Sequence, residues 1–386
     1  MDTKQLDNEY IANTYARYDL ALDSGEGSHM VSEEGREYID LGSGISVNVF
    51  GVADEAWIGA VTGQLGKLQH SSNHYYTRPQ ARLAQLLCEK TGMRRAYFGN
   101  SGAEANECAI KCARKYSHDK YGAGRSTIIT LLNSFHGRTI ATLSATGQEN
   151  MHVDYDPFLP GFVHVPADDF EALSAAADDG VCALIIELVQ GEGGVYVLSE
   201  DYIKKAAELC KARDILLIVD EVQTGNGRCG TLYAYMQYGI MPDIITTAKS
   251  LGGGLPIGAA LLGEKVRDTF GAGSHGSTFG GNPVCAAGAI SIIERLDEEL
   301  LLSVREKGAY IRSRLQGAPG VTGVSGLGMM IGIKTEKDAK QIANECIDRG
   351  VIVLTAKDKV RLLPPLNITQ TDLDKAIDIL LEVISA

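Results

Sequence analysis

The chain has 386 residues, room for a sizeable core and two or three domains, with 45% hydrophobic and 22% charged residues as in ordinary soluble globular proteins. A formal charge of −13 at pH 7 argues against nucleic acid or an anionic membrane as the main partner, and leaves anionic small molecules to local arginines. Met1–Glu9 has no apolar signal core, no stretch is long enough to span a bilayer, and the eight cysteines are scattered without a Cys-x-x-Cys; this suits reduced thiols in the cytoplasm.

Residues 31–39 carry short, hairpin-like alternation. Next, Gly99-Asn100-Ser101-Gly102-Ala103-Glu104 opens a helix expected to reach about Tyr116. Ser101 and Glu104 make a capping box, and the small Gly102 and Ala103 leave the first backbone N–H groups open to an anion. Taken alone, the segment reads first as a well-capped helix without a ligand. Apolar runs at 127–132, 182–188, 215–219 and 244–247 alternate with helical patterns between residues 83 and 263, the signature of a wound, mostly parallel α/β sheet.

A glycine-rich loop, Gly276–Pro283, precedes an alanine-rich helix and reads equally as an ordinary interdomain turn. Gly252-Gly253-Gly254 lacks the G-x-G-x-x-G spacing and later acid of a dinucleotide site. Residues 321–363 return to hairpin-like alternation, with 328–333 and 351–354 the clearest strands. The expected architecture is α/β: an N-terminal segment, 1–60, contributes to a small α+β domain completed by 285–386, and 61–284 form a large domain.

The chemistry lies at two strand ends. Ile215–Val219 delivers Asp220, and Ile244–Thr247 is followed by Lys249. Open α/β sheets place ligands at the C-terminal edge. A lysine that forms a Schiff base and an aspartate that keeps a pyridine nitrogen protonated are what pyridoxal phosphate requires of a protein. A buried lysine there has its ammonium disfavoured, so the amine can attack an aldehyde and later move protons. Separately, Lys249 reads as a loop lysine and Asp220 as a turn aspartate; together they point to the cofactor. Gln223 is suited to donate to a phenolic oxygen or to remain a solvated amide, and Phe135 to stack on the ring or to pack in the core.

Taken together, these segments resemble the class III (ornithine-type) aminotransferases that use pyridoxal phosphate. The likeness covers nearly the whole chain: Asn-Ser-Gly-Ala-Glu-Ala-Asn from Asn100, Phe-His-Gly-Arg-Thr from Phe135 and Gln-Gly-Glu-Gly-Gly from Gln190. It continues with Asp-Glu-Val-Gln-Thr-Gly from Asp220, Ala-Lys-Ser-Leu-Gly-Gly-Gly from Ala248, Ser-Thr-Phe-Gly-Gly-Asn-Pro from Ser277 and Arg-Leu-Leu-Pro-Pro-Leu from Arg361. The resemblance implies the fold-type I architecture of pyridoxal-phosphate transferases. It makes Lys249 the Schiff-base lysine and Asp220 the pyridinium partner, with Ser101, Gly102 and Ala103 at the phosphate. Phe135 and Val222 take the two ring faces and Gln223 the phenolic oxygen. Thr278 matches a threonine that reaches the phosphate of a neighbouring subunit, so a homodimer with shared sites is implied.

By the same likeness, Arg138 grips a distal carboxylate and Arg361 the carboxylate beside the keto group of 2-oxoglutarate. Glu192 pairs with Arg361 until that acceptor arrives, and Tyr15 lines the distal pocket. The implied reaction moves the terminal amino group of N2-acetyl-L-ornithine to 2-oxoglutarate, a step of arginine biosynthesis. Succinylornithine, N-succinyl-diaminopimelate, ornithine and 4-aminobutyrate are alternative donors. An aminomutase (isomerase) would share Lys249 and Asp220 but need no exchange at Arg361; a catalytically silent scaffold would need none of them. Three departures from the family pattern stand out: Leu188 replaces a proline, Ser325 an arginine, and Val52-Ala53-Asp54-Glu55 lacks a His-Pro.

Overall fold

In the computed structural model, which describes residues 1–386, the apolar runs of the central region become strands of one seven-stranded sheet. Its order is Arg95–Gly99, Gly258–Leu262, Ile244–Thr247, Leu216–Asp220, Val181–Ile186, Thr127–Leu131, Phe162–Val165. Neighbours from Ile244–Thr247 to Phe162–Val165 pair in parallel; Gly258–Leu262 runs antiparallel to both of its neighbours. Val181–Ile186 and Leu216–Asp220 are buried along their whole length. Both sheet faces are therefore covered, which is why these strands read as continuous apolar runs.

Alternate residues feed two cores. Ile185, Ile218 and Ile244 pack with Cys108, Ala109, Cys112 and Ala113 of the helix Gly102–Tyr121, while Ile186, Val219 and Ile245 face the larger core behind. Successive strand residues point to opposite faces, and the small helix residues let that helix approach the sheet closely. Ser101 caps the helix, its Oγ accepting the Glu104 N–H at 3.2 Å, a contact that contributes about 1 kcal/mol. The helix runs to Tyr121, one turn beyond its expected end.

Both ends of the chain meet in a second sheet. Leu22–Glu26, His29–Ser32 and Glu37–Asp40 pair antiparallel, and Val351–Ile352 adds in parallel to the last of them. A third, antiparallel sheet has the order Val321–Leu327, Met330–Thr335, Lys359–Leu362, Leu354–Ala356. The single strand expected at 351–354 is thus two strands in different sheets, broken at the buried Val353. Residues 60 and 284 both fall inside helices, Glu55–Leu65 and Pro283–Arg295, which pack on each other. No helix is long and apolar enough to cross a membrane.

One buried charge ties these parts together. Arg228 is fully buried and bonds no carboxylate: Nε donates to Ser46 Oγ at 2.8 Å, Nη1 to the carbonyls of Pro364 and Met329 at 2.6 and 3.2 Å, and Nη2 to Ser43 Oγ at 3.4 Å. The turn it holds is left-handed throughout, with φ of 42°, 62°, 63° and 61° at Ser43, Gly44, Ile45 and Ser46. Such a conformation is unfavourable for the β-branched Ile45 and persists because its surroundings over-determine it.

Candidate active site

Five strand tips converge on one cavity of about 470 Å³. Asp220 ends its strand, Lys249 follows Ile244–Thr247, Ser101 and Gly102 follow Arg95–Gly99, Phe135 follows Thr127–Leu131 and Glu187 follows Val181–Ile186. Asp220 and Lys249 belong to adjacent strands, with Asp220 in register with Thr246. This is the C-terminal edge of the parallel sheet, where the strand ends leave a crevice.

Asp220 is 4% exposed and fully engaged on one oxygen: Oδ2 takes Asn106 Nδ2 at 2.8 Å and His136 Nδ1 at 2.8 Å. Its Oδ1 accepts the Val222 N–H at 3.0 Å and keeps a lone pair for a donor in the cavity. Burial disfavours the His136 imidazolium, yet the bond to Asp220 prevails and raises its pKa. Burial also pushes the Glu187 carboxyl up to about 7, against the pull of His136. Glu187 Oε1 accepts the Phe135 N–H at 2.8 Å and so fixes the loop that carries that ring.

Lys249 sits just beyond its strand with φ of 48°. Burial lowers its pKa, and Glu192 opposes that shift. An amine with this bias reaches its neutral, nucleophilic form more readily than a surface lysine. Facing it, the backbone N–H groups of Gly102 and Ala103 have no acceptor within the chain. A Cβ at Gly102 would lie 2.7 Å from Val222 Cγ1, so only glycine lets the helix start and the Val222 side chain share this wall. Phe135 and Val222 line the same cavity.

On the strand Lys359–Leu362, Arg361 is 3% exposed and its Nη1 donates to Glu192 Oε1 at 2.5 Å and Gln223 Oε1 at 3.2 Å. Gln223 Nε2 donates to Glu192 Oε1 at 3.3 Å, closing a three-membered network. Arg361 Nε is buried with no partner. Arg361 holds the Glu192 carboxyl below its ordinary range despite the upward push of burial. Arg138 is exposed beside the same cavity, its guanidinium 5.7 Å from the Phe135 ring centroid.

The structure therefore brings together Ser101, Gly102, Ala103, Phe135, Arg138, Val222, Gln223 and Lys249 with Asp220 as cavity walls, and Glu192 with Arg361 at its side. It does not bring Tyr15 or Thr278 to this cavity within one chain. Tyr15 is 70% exposed near Arg17, and Thr278 lies on an exposed loop. Asn106, His136 and Glu187 were missed from the sequence. Asn106 follows Gly102 by one helical turn and so shares its face, a signal that was available; His136 and Glu187 lie at loop starts where side-chain direction is not periodic.

The departures have local accounts. Leu188 is fully buried and its carbonyl accepts the Leu198 N–H at 3.0 Å. Asp54 caps the helix Glu55–Leu65 through the Trp57 N–H at 3.2 Å and pairs with Arg295 at 2.7 Å. Ser325 donates to the Val195 carbonyl at 2.8 Å.

Residues 10–384 match the family Aminotransferase class-III, and the chain belongs to it. The acetylornithine aminotransferase of Haemophilus ducreyi is 51% identical over 385 residues, covering 99% of this chain and 98% of that protein. Among solved structures, the ornithine aminotransferase from Toxoplasma gondii superposes with a TM-score of 0.94 at 31% identity, over 99% of this chain and 93% of that one. The acetylornithine aminotransferase from Elizabethkingia anophelis superposes with a TM-score of 0.88 at 30% identity, over 99% and 97% of the two chains. The architecture is that of the fold-type I aminotransferases.

Proposed function

We propose that the protein is a pyridoxal-phosphate-dependent acetylornithine aminotransferase, moving the terminal amino group of N2-acetyl-L-ornithine to 2-oxoglutarate. The products are N-acetyl-L-glutamate 5-semialdehyde and L-glutamate, placing the enzyme in arginine biosynthesis. The observation that carries this reading is the Glu192–Arg361 pair at 2.5 Å beside Lys249. A donor that reacts through a terminal amine has no carboxylate next to the reacting carbon. Glu192 supplies the missing negative charge to the buried Arg361 during that half of the cycle, and yields to the carboxylate of 2-oxoglutarate in the other.

The residues present fit the cofactor: open helix N–H groups for a phosphate, a free lone pair on Asp220 for a ring nitrogen, two apolar walls and a lysine with a lowered pKa. When bound, pyridoxal phosphate supplies the electron sink that makes the carbon bearing the amine acidic. Lys249 would hold its aldehyde carbon at rest and, once the donor displaces the amine, take the proton from the donor carbon. Asp220, ordered by Asn106 and His136, would keep the ring nitrogen protonated. Gly102 and Ala103, beside the Ser101 cap, would bind the phosphate, with Phe135 and Val222 on the two ring faces and Gln223 at the phenolic oxygen. Arg138, exposed at the cavity mouth, suits a distal carboxylate, which a planar guanidinium grips with two parallel hydrogen bonds.

Thr278 and Tyr15 find their place in a homodimer with shared sites. Helix Glu55–Leu65 turns Trp57 towards the core and leaves Ile58 and Leu65 exposed in the monomer. Tyr75, Tyr76 and Phe279, the last beside Thr278, are also exposed. An apolar surface of this kind calls for a second copy of the chain. The large domain would hold the cofactor and the small domain, drawn from both chain ends, would deliver Arg361. All eight cysteines are free, which agrees with a reducing cytoplasm.

Steady-state turnover with a panel of donors tests the reading. N2-acetylornithine should give the highest kcat/KM, above succinylornithine, N-succinyl-diaminopimelate, ornithine and 4-aminobutyrate; a higher value for 4-aminobutyrate would overturn the choice of donor.

A further inference from the structure

The turn that carries Glu192 is strained at Val195 and held there by a side chain from a neighbouring sheet. Val189–Gln190 pairs with Tyr196–Val197, and Glu192 lies in the connection between them. Gly194 and Val195 fold back on Gly191, their N–H groups reaching its carbonyl at 3.4 and 3.3 Å. Val195, fully buried, has φ of 51°, a conformation that a β-branched residue adopts only when held.

Beside the bond to Gly191 and the surrounding core, one side chain bonds it, that of Ser325. Its Oγ donates to the Val195 carbonyl at 2.8 Å and accepts from Lys359 Nζ at 3.0 Å, so the lysine polarises the hydroxyl towards the turn. The strand register places this anchor in line with the switch itself. Arg361 stands opposite Gly332, and Gly332 stands opposite Ser325. A Cβ at Gly332 would lie 2.8 Å from Val195 Cβ and 3.2 Å from Ser325 Oγ, so the glycine makes room for the contact. Lys359 is two residues before Arg361 on the same strand and therefore on the same face. One row of the sheet thus joins the arginine that Glu192 covers to the serine at the end of its turn, and the lysine that braces the serine lies in the row of Lys334, two residues before Arg361.

We propose that Ser325, braced by Lys359, is a positioning residue for the Glu192–Arg361 switch: by fixing the Val195 end of the turn it keeps Glu192 over Arg361 and sets how readily Glu192 gives way. The inference rests on the reading of Glu192 as the residue that covers Arg361 for donors without a neighbouring carboxylate.

The test compares two donors in single turnover of the holoenzyme: N2-acetylornithine, which needs Arg361 covered, and L-glutamate, which needs it free. Ser325→Ala should raise the ratio of glutamate to acetylornithine rates by about threefold to tenfold, the range of one hydrogen bond. Lys359→Gln should move it the same way by less, and Ser325→Thr, which keeps the hydroxyl, should restore the wild-type ratio. Independently of turnover, amide exchange in the cofactor-free protein should quicken at residues 191–197 in Ser325→Ala and stay unchanged in the strand Leu216–Asp220. Glu192→Ala is the control that separates two failures. If it shifts the ratio and Ser325→Ala shifts neither ratio nor exchange, the positioning role is wrong. If Glu192→Ala leaves the ratio unchanged, the switch reading itself fails.

Discussion

His136 Nδ1 stands 2.8 Å from Asp220 Oδ2, both side chains buried in the wall of the cavity. Asn106 bonds both the same Asp220 oxygen and the His136 carbonyl, each at 2.8 Å, so helix, loop and strand tip are locked to one carboxylate. The free face of Asp220 is thereby aimed into the cavity rather than left to rotate.

His136→Leu removes the charge-assisted bond while keeping an apolar filling. Hydrogen bonds to charged groups contribute about 1.5–3 kcal/mol, so kcat/KM should fall by about tenfold to a hundredfold. A fluorescence titration should show weaker cofactor binding in the same variant. Unchanged kinetics and affinity would mean that Asp220 is ordered without it.

Arg361→Lys keeps the charge but loses the planar fork. KM for 2-oxoglutarate should rise by about ten- to a hundredfold, with a smaller effect on the acetylornithine half-reaction. Equal losses in both halves would place Arg361 outside acceptor recognition.

Glu187 gives a pH dependence with a definite sign. Its carboxyl is raised from 4.5 to about 7 in the folded protein, so the folded state binds the proton more tightly than the unfolded one. The stability this contributes is present below pH 4.5 and is lost as pH rises through about 7. Thermal melts of cofactor-free Glu187→Gln should therefore decline less steeply with pH across that window than those of the wild type. Glu221, also raised to about 7 by burial, keeps the slope from vanishing. A steeper decline in the variant would reverse the assignment.

Arg228 is a matter of stability. Replacing it with Ala leaves the Ser43–Ser46 turn without its donors and the carbonyls of Met329 and Pro364 unmet. Each buried carbonyl left unmet costs about 1–3 kcal/mol, so a loss of about 2–5 kcal/mol is expected in denaturant unfolding. A loss within the error of the measurement would show that the turn holds itself.

Much of this was legible in the chain. Asp220 and Lys249 could be placed because each follows a strand buried on both faces, and such strands announce themselves as uninterrupted apolar runs. The helix at Gly102 was legible through its Ser101 cap. The partners of Asp220 were not, since His136 follows Phe135 in a loop, where no periodicity tells which way a side chain points. The strand break at Val353 was hidden because both halves are apolar; only tertiary pairing divides them between two sheets. The left-handed turn at Ser43–Ser46 was equally silent, because it is held by contacts from distant parts of the chain, Arg228, Ser250 and Leu363 among them.

On the proposed function, one cofactor site built around Lys249 serves two different substrates in turn. Absorbance spectra of the holoenzyme test it most directly: N2-acetylornithine is added alone, and 2-oxoglutarate follows after its removal. The visible band of the lysine-bound cofactor should be lost with the first substrate, be restored by the second, and be missing from Lys249→Ala throughout. A band that acetylornithine leaves unchanged, or that 2-oxoglutarate does not restore, would contradict it.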